Sequence, residues 1–370
     1  MREKITKRVV DGLAAADVAA MLWDSEVAGF GVRWRGGAAV YLVRYRAGSG
    51  RGAPIRTVTI GRHGAPWTPD TARVEAKRIL GAVAGGADPA SVRAAERAAP
   101  VVADLIERFL AEHADAKRKP RTAVEYRRLM ALHVLPALGK RKVASISRAD
   151  VAKLHHAGRA TPYQANRVLA VLSKAFALAE VWGLRPDGSN PCRGIERYRE
   201  TKREAMLSAA ELARLGDALA ARRGSPAVVA AIRLLIFTGA RLSEILGLRW
   251  DQVDLERGEA RLADSKTGAK TLHLPPPALR VLTALARIDG NPFVITGHRA
   301  GAPLINLQKP WRAIRTAAGL PSLRIHDLRH AFASVGAGAG LGLPIIGKLL
   351  GHSQPATTAR YAHIAADPAK

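Results

Sequence analysis

Arg241, Lys266, His326, Arg329, His352 and Tyr361 are the residues whose types and spacing could do chemistry together. Cations and imidazoles stand here with one phenol, and no carboxylate cluster accompanies them. Such a set suits phosphate. Attack on a phosphodiester puts negative charge on the equatorial oxygens, so catalysis there is mostly positioning plus preorganised positive donors. Each arginine offers a rigid planar fork of such donors. A phenol of pKa about 10 attacks poorly until a base or a cationic pocket favours the phenolate, and His326 is placed to supply the base. The departing 5′-oxygen needs a proton. A lysine on a turn, its pKa lowered by neighbouring arginines, fits as the acid, which assigns Lys266.

These residues must be held by particular elements. Arg241 follows Thr238-Gly-Ala at the end of a mostly apolar helix predicted over 226–237. Lys266 falls in the turn of a hairpin whose strands are expected over 259–262 and 270–274, and helices are expected to resume from Pro277 to the end. Ser208-Ala-Ala-Glu211 reads as a capping box that opens this unit. His326 and His330 lie four apart on one predicted helix face, which is also the spacing of a zinc pair with Asp327 between them. No third ligand follows at a suggestive spacing and aspartate is shorter than a metalloprotease's glutamate, so no metal is expected.

Upstream the pattern changes. Residues 29–60 alternate with period two in three runs broken by Gly36-Gly37 and by 48–52, which predicts a three-stranded antiparallel sheet. Thr68-Pro69-Asp70 then caps a helix running to about Val83, and 94–103 reads as a linker. Residues 101–185 show helical periodicity in four segments, over 101–113, 122–135, 147–156 and 162–183. Basic clusters at 117–120 and 139–142 sit between them, at helix ends where they could reach phosphates.

The chain has 370 residues, with 58 Lys and Arg against 31 Asp and Glu, a formal net charge of +27. Four successive segments, cut at residues 100, 200 and 300, are each net basic, so the charge is not one tail. A polyanionic partner follows, nucleic acid before a membrane surface. The single Cys192 cannot pair within the chain, no apolar run is long enough for a spanning helix, and Asp11 and Asp17 interrupt the basic start before a signal core can form. A cytoplasmic location is expected.

The ordered set Thr238-Gly-Ala-Arg241-Leu-Ser-Glu244, Ser265-Lys266-Thr-Gly268, His326-Asp-Leu-Arg329-His330, Leu349-Leu-Gly-His352 and Arg360-Tyr361-Ala-His363 resembles the tyrosine recombinase (phage integrase) family, with His352 nine residues before Tyr361. Leu22-Trp-Asp-Ser-Glu-Val-Ala-Gly-Phe-Gly-Val-Arg33, Tyr41-Leu-Val-Arg-Tyr-Arg46, Thr59-Ile-Gly-Arg62 and Ala84-Gly-Gly-Ala-Asp-Pro89 resemble the arm-binding domain of P4-like prophage and integrative-element integrases. The resemblance implies an α+β, mainly helical fold in three domains. These are an arm-type DNA-binding domain of sheet plus helix over 1–93, an all-α core-type DNA-binding domain over 100–190, and a mixed, mainly helical catalytic domain over 205–370. It implies that Tyr361 attacks the scissile phosphate to leave a 3′-phosphotyrosyl link and a free 5′-hydroxyl, while Arg241, Arg329 and His352 hold the phosphate. Bond energy kept in that link makes ATP, cofactor and metal unnecessary. It further implies double-stranded DNA attachment sites as partner, a homotetramer on DNA, accessory bending or excision factors, and integration or excision of a mobile element. Many relatives continue into a C-terminal segment that docks on a neighbouring subunit, whereas this sequence ends nine residues after Tyr361, which leaves that mode of regulation open.

Three other readings fit less. A type IB topoisomerase shares the phosphotyrosine step without the arm unit. A catalytically inactive DNA-binding accessory factor would not need Tyr361 and both arginines. A membrane-surface protein would concentrate its charge on an amphipathic anchor.

Overall fold

Alternation of apolar and polar residues does become a sheet, and it is larger than expected. The computed structural model describes residues 2–362 apart from 17–19, 36, 49–51, 202–206, 266–267 and 353. Its first sheet has five strands in sequential order: β1 (Arg2–Glu3), β2 (Met21–Asp24), β3 (Phe30–Arg35), β4 (Ala38–Arg46) and β5 (Ile55–Arg62). All pairs are antiparallel except β1 with β2. Only β3, β4 and β5 were legible as alternating runs. The two extra strands are too short to show periodicity, and a buried charge holds them instead. Asp24 accepts from the N–H groups of Ile5 and Val27, each at 2.9 Å, and from Arg73 at 3.1 Å, while Arg73 also donates to the Ile5 carbonyl at 2.8 Å. Burial alone would raise the Asp24 carboxyl, but these donors hold it below its ordinary value.

One face of this sheet is covered by α1 (Lys7–Ala16) and α2 (Pro69–Ala84), enclosing Phe30, Val32, Tyr41, Val43 and Ile79. Thr68 caps α2 as expected, accepting from the Thr71 N–H at 3.2 Å. The expected linker is a correction: α3 (Pro89–Ala98) is a helix, started by the Asp88 side chain and Pro89. Gly85 and Gly86 end α2 without ending helical structure.

A second core is all helical. The helices α4 (Val102–Phe109), α5 (Pro120–Leu129), α6 (Leu135–Leu138), α7 (Arg148–Ala157) and α8 (Pro162–Val181) surround Leu105, Phe109, Met130, Leu172 and Phe176. Part of the basic loop at 139–142 is engaged within the chain: Arg141 pairs with Asp150, and the Lys142 ammonium donates to the carbonyls of Arg97 and Ala99. Two of its four residues therefore act as loop fasteners.

These two cores lie in one compact unit, Met1–Glu200, and the second unit is Thr201–Lys370. It opens at the Ser208–Glu211 capping box, whose two bonds run 2.9 and 3.2 Å. Its helices are α9 (Ala209–Ala220), α10 (Pro226–Thr238), α11 (Leu242–Leu246), α12 (Pro276–Thr283), α13 (Gln308–Ala317), α14 (Ile325–Gly338), α15 (Leu343–Leu350) and α16 (Pro355–Thr358). A small antiparallel sheet is made by β6 (Val253–Asp254), β7 (Glu259–Ser265) and β8 (Gly268–His273). The apolar α10 runs through the centre, packed against α12 and α14, with Leu234 fully buried. Contrary to expectation, no helix spans the stretch between α12 and α13. Gly290, Pro292, Gly297, Gly301 and Pro303 break it, and Gly297 lies so close to Pro303 that a Cβ would stand 2.4 Å from its carbonyl oxygen.

Candidate active site

The site is built on helix ends. Thr238 closes α10 by donating to the Leu234 carbonyl at 2.6 Å and accepting from the Ala240 N–H at 3.2 Å. Gly239 then turns the chain at φ 61°, and a Cβ there would sit 2.5 Å from the Phe332 ring. Only glycine meets both demands. Arg241 follows as the residue capping α11. Glu244, three residues on, accepts from the Arg241 N–H at 2.9 Å and from its guanidinium at 2.8 Å. The oxygen that takes the Arg241 N–H, Oε2, also accepts from the Lys270 ammonium of β8 at 2.9 Å.

Arg329 comes from α14, whose start is fixed by the carboxylate of buried Asp327, which accepts from the Arg324 backbone N–H and guanidinium. The residue is 4% exposed, and its guanidinium donates to the Gly239 carbonyl at 2.8 Å and to the Leu350 carbonyl at 2.7 Å. Those oxygens end α10 and α15, where helix carbonyls lack partners and carry partial negative charge. Lys270 and Arg241 reach the same α15 terminus, at the Leu350 and Gly351 carbonyls, each at 3.5 Å. Gly351 turns at φ 66° with a Cβ position 2.9 Å from Lys270, so a side chain there would displace the lysine.

Crowding sets the electrostatics. Burial, then Arg241, brings the Arg329 pKa down to about 10, so the group remains a cation at neutral pH. Burial lowers Lys270 despite Glu244 beside it. Glu244 would be raised by burial, but the Arg241 N–H and Lys270 hold it down as a carboxylate. His326 is exposed one turn before Arg329 and His330 on the same face of α14, and partial desolvation, followed by Arg329, lowers its pKa. One carboxylate thus shares its charge between two of three clustered cations, leaving net positive charge.

Tyr361 lies at the end of a short 3-10 turn, Ala359–Tyr361, 5% exposed and packed with Ala333, Ala337, Ile346 and Leu350. Its hydroxyl is 2.6 Å from His330 Nδ1, and the His330 ring stands edge-on to that of His326 at 5.0 Å. His352 Nδ1 bonds to the Thr358 hydroxyl at 2.8 Å, which ties the loop after α15 to the helix before Tyr361. Of the residues singled out in the sequence, Arg241 and Arg329 meet around the α15 terminus, His352 adjoins it in the chain, and His326 lies one turn before the residue that meets Tyr361. Lys266 lies outside the described residues.

Two participants escaped sequence reasoning. Glu244 was expected to anchor an arginine or cap locally and was left out of the site, and three residues after the capping Arg241 it does both. His330 carried only its helical spacing from His326. Lys270 carried none, because an ordinary strand lysine becomes a buried ion-pair member only through packing against α15.

Residues 205–367 match the phage integrase family, residues 5–96 an arm DNA-binding domain and residues 101–157 the N-terminal SAM-like domain of phage integrases. Tyrosine recombinase XerC of Mycobacterium bovis is 30% identical over 246 residues, which cover 60% of this chain and 78% of that protein. The chain belongs to the phage integrase family of tyrosine recombinases. A second XerC, from a Mycobacterium species (strain KMS), is 31% identical over 176 residues, 45% of this chain, and the match spans 57% of that relative's length. The fold resembles that of a lambda integrase tetramer bound to a Holliday junction, with a TM-score of 0.60 at 18% identity, covering 88% of this chain and 96% of that one. This integrase-family chain is a mainly helical α+β protein, and no helix among its described residues is long and apolar enough to cross a membrane.

Proposed function

We propose that this chain is a site-specific DNA recombinase that cuts and rejoins duplex DNA through a 3′-phosphotyrosyl link on Tyr361. One observation carries the reading: two arginines are clamped by backbone carbonyls at helix ends in the same helical cluster that buries Tyr361. Cations fixed before substrate arrives stabilise a phosphoryl transition state without reorganising. Arg241, Arg329 and His352 hold the scissile phosphate and His326 borders it. As the Tyr361 oxygen bonds to phosphorus the P–O5′ bond breaks, and Lys266 gives the leaving 5′-oxygen its proton. A 5′-hydroxyl from a partner strand reverses the step. No bond energy is lost, so the exchange needs no nucleotide cofactor.

The substrate is the attachment sites of a mobile element such as a prophage or genomic island, and two rounds of exchange use four protomers. The division of labour is residues 1–93 for arm-type DNA, 100–190 for core-type DNA and 205–370 for catalysis, in the cytoplasm where such DNA lies. The outer face of the first sheet supports the arm assignment. By register Arg33, Arg44, Arg46 and Arg62 share that face with Thr57 and Thr59, and Arg44 lies 5.9 Å from the ring of Trp23. Arginines beside hydroxyls suit phosphates and base edges alike.

The test is a nicked duplex carrying a candidate core from the ends of the encoding element, mixed with the full chain in EDTA and read on a denaturing gel. A covalent adduct with wild type and none with Tyr361→Phe, at equal DNA binding, is expected. Tight binding without an adduct would replace the reading with that of an accessory DNA-binding factor.

A further inference from the structure

The sequence points to His326 for the tyrosine proton, but the distances point one helical turn further. His330 Nδ1 lies 2.6 Å from the Tyr361 hydroxyl, within the range of a well-formed bond. Tyr361 is held there by packing, since Ala333 and Ala337 of α14, together with Ile346 and Leu350 of α15, enclose its ring. His330 is fixed as well, by the edge-on His326 ring on the preceding turn and by an α14 backbone whose His330 carbonyl accepts from Ser334 at 3.0 Å. Arg329 is the adjacent residue, and a charge on the Tyr361 oxygen is close enough to favour its cationic form. One helix thus presents a phosphate-binding guanidinium and a phenol-binding imidazole as neighbours, in a relation that cannot drift.

We propose that His330 is a catalytic residue, the base that takes the phenol proton of Tyr361. The proposal rests on the reading of Tyr361 as nucleophile. With the His330 proton on Nε2, Nδ1 accepts the hydroxyl proton as the Oη–P bond forms and the P–O5′ bond breaks, while the leaving 5′-oxygen takes its proton from Lys266. The imidazolium then donates to the bridging oxygen of the phosphotyrosine. When a 5′-hydroxyl attacks, the proton returns to Tyr361 and the base is restored.

The experiment measures adduct formation on the nicked duplex by the full chain, with tyrosine or difluorotyrosine incorporated at position 361. The fluorinated phenol is more acidic and needs a base less. With ordinary tyrosine His330→Ala is expected to slow adduct formation about a hundredfold or more at unchanged DNA binding. With difluorotyrosine the defect should shrink at least tenfold, which loss of packing alone would not produce. His330→Asn, which keeps the side chain's approximate volume, is measured alongside in case the alanine variant folds poorly. A wild-type rate in either variant, or the same defect with both phenols, would overturn the proposal. A wild-type protein that forms no adduct would instead sink the reading of Tyr361 itself.

Discussion

Glu244 is a carboxylate in a site otherwise made of cations, and its geometry explains why it belongs. Placed between Arg241 and Lys270, it fixes the direction of one guanidinium and compensates a buried ammonium. Glu244→Ala should therefore cost about 3–5 kcal/mol, the usual penalty for stranding a buried charge, measured by denaturant melts of the full chain. Glu244→Gln keeps an oxygen for the Arg241 N–H and should cost less; equal losses would mean that charge is not what the site needs. Arg329→Lys tests geometry in the same way. The guanidinium spans two carbonyls at once, 2.8 and 2.7 Å away, and an ammonium is a point charge without a planar fork. We predict about a hundredfold or greater loss of adduct at nearly unchanged DNA affinity, on a band-shift and denaturing-gel pair; full activity would show that charge alone suffices.

Helix ends, more than helix faces, hold this site. Two left-handed glycines close α10 and α15 and aim the Gly239, Leu350 and Gly351 carbonyls at the cations. Gly239→Ala imposes both a strained φ and a contact with Phe332, and should destabilise the second unit by about 1–3 kcal/mol while lowering activity further than stability loss explains. A variant as stable and active as wild type would show that the turn tolerates a side chain. Sequence reasoning saw both glycines only as members of motifs. It missed β1 and β2 because their determinants are long-range, as when Asp24 reaches Ile5 and Arg73 across the fold, and it missed α3 although the Asp88 cap and Pro89 that start it are local.

Acid should unfold the molecule through a few identifiable carboxylates. Asp24, Glu244 and Asp327 all have folded-state pKa values below their ordinary ones, through Arg73 and backbone N–H groups, through Arg241 and Lys270, and through Arg324 respectively, each against the opposing effect of burial. The unfolded chain therefore binds protons first as pH falls towards about 4. Their stabilisation is complete above that pH and is lost as the pH drops through the lower folded values. Thermal melts between pH 7 and pH 3 should show this decline, and Asp24→Asn should flatten the part that belongs to the first unit. An unchanged slope would remove Asp24 from the account. Deleting residues 1–90 should weaken binding to distal arm DNA more than to core DNA in competition assays; equal losses would mean that these residues do not read arm sites.

Residue types and their order by themselves pointed to phosphate chemistry and gave the family, the helical middle segment, the cap at Thr68 and the capping box at Ser208, because caps and periodicity act within a few residues of themselves. The tertiary structure alone decided which groups meet. That Lys270 shares a carboxylate with Arg241, that Arg329 is gripped by two helix ends, and that Tyr361 finds His330 are each set by contacts between residues 21 to 90 positions apart. Separations of that length leave no periodic trace in a chain, since only the folded core brings the partners within bonding distance.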